Sequence, residues 1–135
     1  MKNAKGLHIA LWVAQGLLAA AFIIGGFMKI TSPIEELAAN GMGFVNSFSE
    51  GTVRFIGISE LLGGIGLLLP ALLRIKPILT PIAASGLAVV MILAGGYHIS
   101  VGEPPIPNMV LFAIASFIAW GRFKKVPIIE VSHSS

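Results

Sequence analysis

Residues 55–73 of the chain read FIGISELLGGIGLLLPALL, an apolar and glycine-rich run with a single ionisable side chain, Glu60. A helix that crosses the hydrocarbon core of a bilayer needs about 20 predominantly apolar residues, so this run is long enough to span a membrane. A carboxyl group at that depth is energetically costly and points to a buried partner or to a function. Glu60 is therefore the first candidate site residue.

Three further apolar stretches accompany this run, at residues 7–30, 78–99 and 105–123. The last is the shortest and reaches spanning length only with Pro105 and the residues after Trp120. Apolar residues make up 56% of the chain and charged residues 11%, whereas a soluble domain has about 25% charged residues. The sequence predicts an all-α membrane protein in which residues 1–135 form one domain, a bundle of four transmembrane helices.

The N-terminal segment resembles a secretory signal peptide, with a basic start, an apolar stretch and small residues at 19–21. The apolar region of a signal peptide covers only about 7–15 residues, whereas this one continues to Ile30. We therefore expect this segment to be retained as the first helix.

Basic residues are concentrated in three segments that an even number of spans puts on the same side of the membrane. They are Lys2, Lys5, Arg74, Lys76, Arg122, Lys124 and Lys125. The positive-inside rule then predicts that both termini are cytoplasmic. Because these residues lie at helix ends and not along one face, the positive charge does not indicate nucleic-acid binding.

The first external loop, residues 31–52, is the connection with most room for structure. Thr31 or Ser32 followed by a proline and two acids is typical of a helix start, and Gly41 is typical of a helix end. The pattern predicts a short amphipathic helix at Pro33–Asn40 on the outer surface. The apolar residues that follow it would pack the loop down like a lid; they are Met42, Phe44, Val45 and Phe48.

Polar side chains from all four predicted spans gather in the outer half of the bundle. They are Lys29, Arg54, Glu60, Tyr97, His98 and Asn108, whereas the inner half offers Gln15, Thr80 and Ser85. At 1.5 Å per residue, Glu60 lies about 9 Å deeper than Arg54, on the helix face that also carries Gly57 and Gly64. We predict a ligand-binding site formed by these outer polar residues.

The partner of Glu60 stays open at this point. An ion pair with Lys29 is one solution, and a hydrogen bond from His98, Tyr97 or Arg54 is another. Either arrangement is compatible with a ligand site and also with a contact that only holds the helices in register.

Several metal and redox sites are not expected. The chain has no cysteine, which excludes disulfides, thiol redox chemistry, iron–sulfur clusters and thiolate-ligated haem. His8 and His98 are predicted at opposite membrane faces, so one subunit cannot use both as haem ligands. His98 with one or two carboxylates is too small a set for a metal site.

Three motifs resemble the DoxX-like family of small four-helix membrane proteins. They are GGFMKI at residues 25–30, ISELLGGIGLLLP at residues 58–70, and a run with Ala88, Met91, Ala94 or Gly95, and His98. The acid ahead of a glycine-rich stretch that ends in LLLP is the distinctive part. The resemblance covers roughly residues 10–121.

The resemblance implies a multi-pass protein of the bacterial inner (cytoplasmic) membrane, in a family whose members mostly have no assigned activity. Lys29, Glu60 and His98 correspond to the polar positions of the family pattern. The family's namesake is the small subunit of an archaeal thiosulfate:quinone oxidoreductase, and other relatives are linked to oxidative-stress complexes. Because this chain is short and has no cysteine, a complete activity of that kind would require a partner subunit.

Two functions of different kinds fit these residues. The first is an accessory subunit of a membrane redox or oxidative-stress system, more a binding subunit than a complete enzyme. It would bind a quinone or lipid-like ligand through Lys29, Tyr97 and His98, with Glu60 exchanging a proton. The second is a non-enzymatic membrane scaffold or assembly protein whose polar cluster is structural.

A minimal transporter fits less well, because the inner half is poor in polar residues. The glycine-lined helix faces are compatible with a homodimer as well as with packing inside one chain.

Overall fold

The computed structural model describes residues 2–131, which are all-α. The elements are α1 (Lys2–Thr31), α2 (Ile34–Ala39), a 3-10 turn (Gly43–Asn46), α3 (Glu50–Leu73), α4 (Leu79–Ser100), α5 (Ile106–Trp120) and a π-helical turn (Gly121–Lys125). Four stretches are long and apolar enough to cross a membrane: Ala4–Thr31, Glu50–Leu73, Leu79–Ser100 and Ile106–Lys125. The protein is a multi-pass membrane protein with four candidate spans, as predicted.

Helix α3 begins earlier than the apolar run predicted, at Glu50 and not near Phe55. Ser49 caps the helix, since its Oγ accepts a hydrogen bond from the backbone N–H of Thr52 at 3.2 Å. The acid at Glu50 favours the same start, because a negative charge is stabilised in the first turn of a helix. Hydropathy marks where a helix enters the lipid, whereas the cap marks where the helix begins.

The predicted loop helix is present as α2, but the expected cap residues are wrong. Thr31 still belongs to α1, where its hydroxyl donates to the carbonyl of Phe27 at 2.9 Å. Pro33 occupies the N-cap position, without a side-chain cap. Gly41 ends the segment as predicted, because its φ of +93° is a conformation that glycine adopts without strain.

The apolar face of α2 packs inside the protein rather than on the membrane. Leu37 is buried and forms a small apolar cluster with Val45 and Val53. Met28 and Phe44 pack against the same cluster. The loop between α1 and α3 is therefore fixed to the bundle by a core of its own.

The four spans alternate in direction, so the described chain begins and ends at the same end of the bundle, which we call the proximal end. The opposite, distal end carries α2, the 3-10 turn and the α4–α5 connection. That the proximal end faces the cytoplasm stays a prediction of the positive-inside rule.

Helices α1 and α3 form the most extensively packed pair, and glycines set their distance. A Cβ at Gly26 would lie 2.6 Å from the carbonyl oxygen of Gly57, and a Cβ at Gly64 would lie 2.8 Å from a side-chain carbon of Ile23. In a membrane, helices pack closely where small residues let their backbones approach each other. Helices α4 and α5 form the second pair.

The two pairs join in the proximal half of the bundle. Pro70, inside α3, has no N–H to donate to the carbonyl of Gly66. The hydroxyl of the fully buried Thr80 donates to that carbonyl instead, at 2.9 Å. A single proline in α3 thereby creates the polar contact that fixes α4. The main core lies at mid-depth and includes Leu18, Phe22, Leu67, Leu87, Met91 and Ile118.

Candidate ligand-binding cavity

An ion pair between Lys29 of α1 and Glu60 of α3 lies in the distal half of the bundle. The Nζ atom of Lys29 is 2.5 Å from Oε1 of Glu60, and the two side chains are 13% and 6% exposed. The close helix packing brings them together, since a Cβ on Gly57 would lie 2.8 Å from the Cβ of Lys29. Of the partners that the sequence left open for Glu60, the structure selects Lys29.

Arg54 is directed to backbone carbonyls and not to Glu60. Its Nη1 donates to the carbonyl of Lys29 at 2.9 Å and to that of Ser32 at 2.6 Å. Its Nη2 lies 3.4 Å from Oε1 of Glu50. These contacts satisfy carbonyls at the C-terminal end of α1, where a cation is favourable. Arg54 therefore anchors the end of α1. It is not among the described residues that line the cavity in the next paragraph.

A cavity of about 500 Å³ lies between the two helix pairs in the distal half, which we call the distal cavity. Five of the six predicted site residues line it: Lys29, Glu60, Tyr97, His98 and Asn108. Most of the remaining wall is apolar and includes Phe22, Phe44, Phe48, Phe55, Met91 and Leu93. The helix pairs thus enclose a chamber with apolar walls and a few polar groups.

The loop after α2 covers the distal cavity, as the predicted lid would. Phe44 and Phe48 line the cavity, and the ring of Phe48 packs on Tyr97 with centroids 5.4 Å apart. The Tyr97 hydroxyl and Ser47 Oγ are hydrogen-bonded at 2.7 Å. The ammonium group of Lys29 also lies 5.7 Å from the centre of the Phe44 ring, within cation–π range. The lid is therefore tied to both α1 and α4.

His98 and Asn108 reach the cavity from α4 and α5 without contacting Glu60. Nδ1 of His98 lies 2.8 Å from Oε1 of Glu103, so Nε2 is the ring nitrogen available to a ligand. The side-chain amide of Asn108 donates to the sulfur of Met91 at 3.6 Å. A thioether is a weak acceptor, so this amide is weakly engaged.

A second polar cluster lies in the proximal half, and the sequence did not predict it. Arg122 is 2% exposed, although the sequence placed it only among the basic residues at helix ends. Its Nε donates to Oε1 of the fully buried Gln15 at 2.7 Å, and its Nη1 lies 2.9 Å from Nδ1 of His8. The Gln15 amide donates in turn to the carbonyl of Leu67 at 2.7 Å. The signal in the sequence that could have indicated this cluster was Gln15, a lone amide within an apolar helix.

Within residues 2–131, no group of three or more His, Cys, Asp or Glu side chains is placed to hold a metal ion. The set in the sequence that came closest to a metal site was His98 with the carboxylates of Glu60 and Glu103. Glu60 is engaged by Lys29 and Glu103 by His98, in separate pairs.

Comparison with known sequences identifies the family. The sequence profile of the DoxX-like family matches residues 13–121. No match is found among curated proteins, and none among solved structures. The matched range holds the Lys29–Glu60 pair, the distal cavity and most of all four candidate spans. This multi-pass membrane protein belongs to the DoxX-like family.

Proposed function

We propose that the protein is an accessory subunit of a membrane redox or oxidative-stress system and that it binds a quinone or lipid-like ligand in the distal cavity. The observation that carries the proposal is a chamber of about 500 Å³ whose apolar wall is interrupted by the buried Lys29–Glu60 pair. Sites for small molecules have volumes of about 300–1,000 Å³ and combine apolar walls with a few polar groups.

The polar groups of the cavity suit a quinone headgroup. An oxidised quinone presents carbonyl acceptors, and Lys29, Asn108 and Tyr97 supply N–H and O–H donors around the chamber. After reduction the same ring presents hydroxyl donors, for which the carboxylate of Glu60 is an acceptor. Within the ion pair, Lys29 is thus a donor to the oxidised quinone and Glu60 an acceptor for the reduced quinone.

The opening of the cavity suits a ligand with an apolar tail. Phe55 of α3 and Leu93 of α4 line the chamber, and each is 68% exposed on the outside of the bundle. The chamber therefore reaches the lipid-facing surface between these helices. A ligand dissolved in the bilayer can enter there without crossing water, and its tail can stay in lipid.

A partner subunit would carry the electron-transfer chemistry in this proposal. The chain has no cysteine, so it has neither redox thiols nor thiolate ligands for an iron–sulfur cluster. The role that its own residues support is to bind, orient and protonate a ligand.

The second candidate function is a scaffold, and one observation favours it. Lys29 and Glu60 neutralise each other without a ligand, and Arg54 ties the same end of α1 to α3. These contacts alone would hold the helix pair in register. Transport is less well supported, because Leu18, Phe22 and Leu67 pack into an apolar layer between the distal and proximal polar clusters.

The test compares wild type with Glu60→Gln and with Glu36→Gln, a matched control that makes the same change on exposed α2. Each protein is extracted gently from its own membrane and weighed by native mass spectrometry, then titrated with ubiquinone or menaquinone. We expect wild type and Glu36→Gln to retain a bound quinone or lipid and Glu60→Gln to lose it.

Equal ligand binding by all three proteins would contradict a ligand role for Glu60. Ligand-free masses for all three, with only a lowered melting temperature in Glu60→Gln, would favour the scaffold.

A further inference from the structure

A second cavity, of about 510 Å³, lies at the proximal end of the bundle and takes no part in the proposed function. The start of α1 forms one wall with Lys5, His8 and Trp12, and Arg74 at the end of α3 forms another. Residues 126–129 close it from the C-terminal side. We call this space the proximal cavity.

The C-terminal wall is held in place by hydrogen bonds. The carbonyl of Ile129 accepts from Nε of Arg74 at 2.8 Å, and the N–H of Val131 donates to the carbonyl of Arg74 at 2.7 Å. The carbonyl of Val126 accepts from Nη1 of Arg122 at 2.8 Å. Residues 126–131 therefore form a strap that keeps Ile128 and Ile129 over the cavity.

His8, in the wall of the proximal cavity, faces a donor at each of its two ring nitrogens. Nδ1 of His8 faces the guanidinium of Arg122 at 2.9 Å, and Nε2 faces the indole N–H of Trp12 at 3.2 Å. Arginine and the tryptophan indole can only donate, and a histidine ring that accepts at both nitrogens would carry no proton.

Because the guanidinium of Arg122 is a charged donor and its contact is the shorter one, we assign the accepting nitrogen of His8 to Nδ1 and the ring proton to Nε2. In this tautomer the indole N–H of Trp12 loses Nε2 as its acceptor, so the N–H groups of His8 and Trp12 meet donor to donor. Both residues line the cavity. An acceptor in the cavity would relieve this conflict.

The charged side chains that line the proximal cavity are all basic. Lys5 and Arg74 line the cavity, and Arg122 is buried behind His8. All six acidic residues of the chain lie within the described range. Of these, Glu130 lies at the proximal end, where its Oε1 accepts from the backbone N–H of Lys76 at 3.2 Å. No acidic side chain is part of the described wall, and none forms an ion pair with Arg122 among residues 2–131.

We propose that the proximal cavity binds an anionic phospholipid of the surrounding bilayer. The phosphate group supplies acceptors to Lys5, His8 and Arg74, and the apolar part of the lipid packs on Ile128 and Ile129. The phosphate of a phospholipid is a phosphodiester that carries no proton, so its oxygens only accept hydrogen bonds. They therefore match N–H groups that lack an acceptor. Basic pockets between transmembrane helices near the membrane surface are typical sites for anionic lipid headgroups.

The experiment measures lipid affinity by native mass spectrometry of the full chain in detergent. The probes are phosphatidylglycerol and phosphatidylcholine with the same acyl chains, added at low ionic strength. The test variant is Lys5→Gln/Arg74→Gln. The matched control, Lys124→Gln/Lys125→Gln, removes the same charge from the same end but outside the cavity wall.

We expect wild type and the control to prefer phosphatidylglycerol. A basic residue near a membrane surface contributes a factor of about five in affinity for an anionic lipid. The cavity variant should therefore bind phosphatidylglycerol roughly 25-fold more weakly and lose less affinity for phosphatidylcholine, whose choline group cancels the phosphate charge. Lys5→Gln alone, which leaves the Arg74–Ile129 hydrogen bond intact, should lose about fivefold.

Three outcomes would overturn the proposal. An equal loss in the cavity and control variants would mean that diffuse surface charge attracts the lipid. No loss in either would mean that the cavity does not bind it. Displacement of the lipid by millimolar inorganic phosphate would assign the site to a soluble anion.

Discussion

Lys29 Nζ and Glu60 Oε1 are 2.5 Å apart, on two helices whose backbones meet at Gly26 and Gly57. The same glycine contact that packs α1 on α3 therefore pairs the two charges. Both side chains of the pair form part of the wall of the distal cavity. Packing, charge neutralisation and the candidate site are thus parts of one arrangement.

The ion pair predicts that removing one of its charges destabilises the protein more than removing both. Removing one partner of a buried pair leaves an uncompensated charge and costs about 3–5 kcal/mol. We expect Lys29→Met to lower the free energy of unfolding by about that amount and Lys29→Met/Glu60→Gln to recover most of it. Unfolding in detergent micelles, followed by circular dichroism, measures both. A double variant as unstable as the single variant would show that the uncompensated charge of Glu60 does not cause the loss of stability.

The glycine contact predicts different effects at two neighbouring positions. Gly26→Ala places a Cβ 2.6 Å from the carbonyl oxygen of Gly57, whereas a Cβ at Gly25 meets nothing within 4 Å. Overpacking of this kind costs about 1–3 kcal/mol. We therefore expect Gly26→Ala to lower the melting temperature and Gly25→Ala to leave it unchanged or raised. Equal melting temperatures for the two variants would contradict close packing of α1 on α3.

The proximal cluster predicts that Gln15 is important for stability. Gln15→Leu leaves the Nε of buried Arg122 without its acceptor and removes the donor to the carbonyl of Leu67. A buried polar group without a partner costs about 1–3 kcal/mol, and more when it is charged. The loss should appear as a lower unfolding midpoint in a denaturant titration.

The control for Gln15 is Ser85→Ala, since the Ser85 hydroxyl bonds only to the carbonyl of Pro81 in its own helix. Its unfolding midpoint should stay close to that of wild type. A midpoint for Gln15→Leu as high as that of the control would argue against the buried network.

The lid predicts a local effect on dynamics. Tyr97→Phe removes the 2.7 Å hydrogen bond to Ser47 but keeps the ring against Phe48. A hydrogen bond contributes about 1 kcal/mol net, a factor of about five in an opening equilibrium. We expect amide exchange in residues 43–49 to accelerate about fivefold, as measured by hydrogen–deuterium exchange.

Ser100→Ala is the control for the lid, because the Ser100 hydroxyl donates to the backbone carbonyl of Tyr97 and not to the loop. Exchange in residues 43–49 should be unchanged in this variant. Equal exchange in wild type and Tyr97→Phe would show that the loop is held by apolar contacts alone.

The sequence predicted the fold at the level of spans and helix faces. The buried residues of α3 include Gly57, Glu60, Gly64 and Leu67, the face expected from helical periodicity. Such a face depends only on residues close together in the chain. The α3 start was misplaced because hydropathy does not report the capping hydrogen bonds at helix ends. The α2 cap was misplaced because α1 continues through Thr31 and leaves Pro33 at the N-cap position.

The candidate site was predicted as a set of residues but not as a geometry. Lys29, Glu60, Tyr97, His98 and Asn108 line one cavity, as their common place in the outer half of the bundle suggested. Arg54 lies in the same half but bonds to backbone carbonyls. Depth follows from position along a helix, whereas the direction of a long side chain depends on the neighbouring helix.

The sequence by itself determined that the chain crosses a membrane, which segments form the spans and which half of the bundle holds each polar side chain. Hydrocarbon thickness and the rise of a helix set these properties locally. The tertiary structure decided which side chains pair and where the bundle stays open. Arg122 meets Gln15 across 107 positions of sequence, and Lys29 meets Glu60 across 31. Such contacts require the close approach of separate helices, which small residues permit but no single segment specifies.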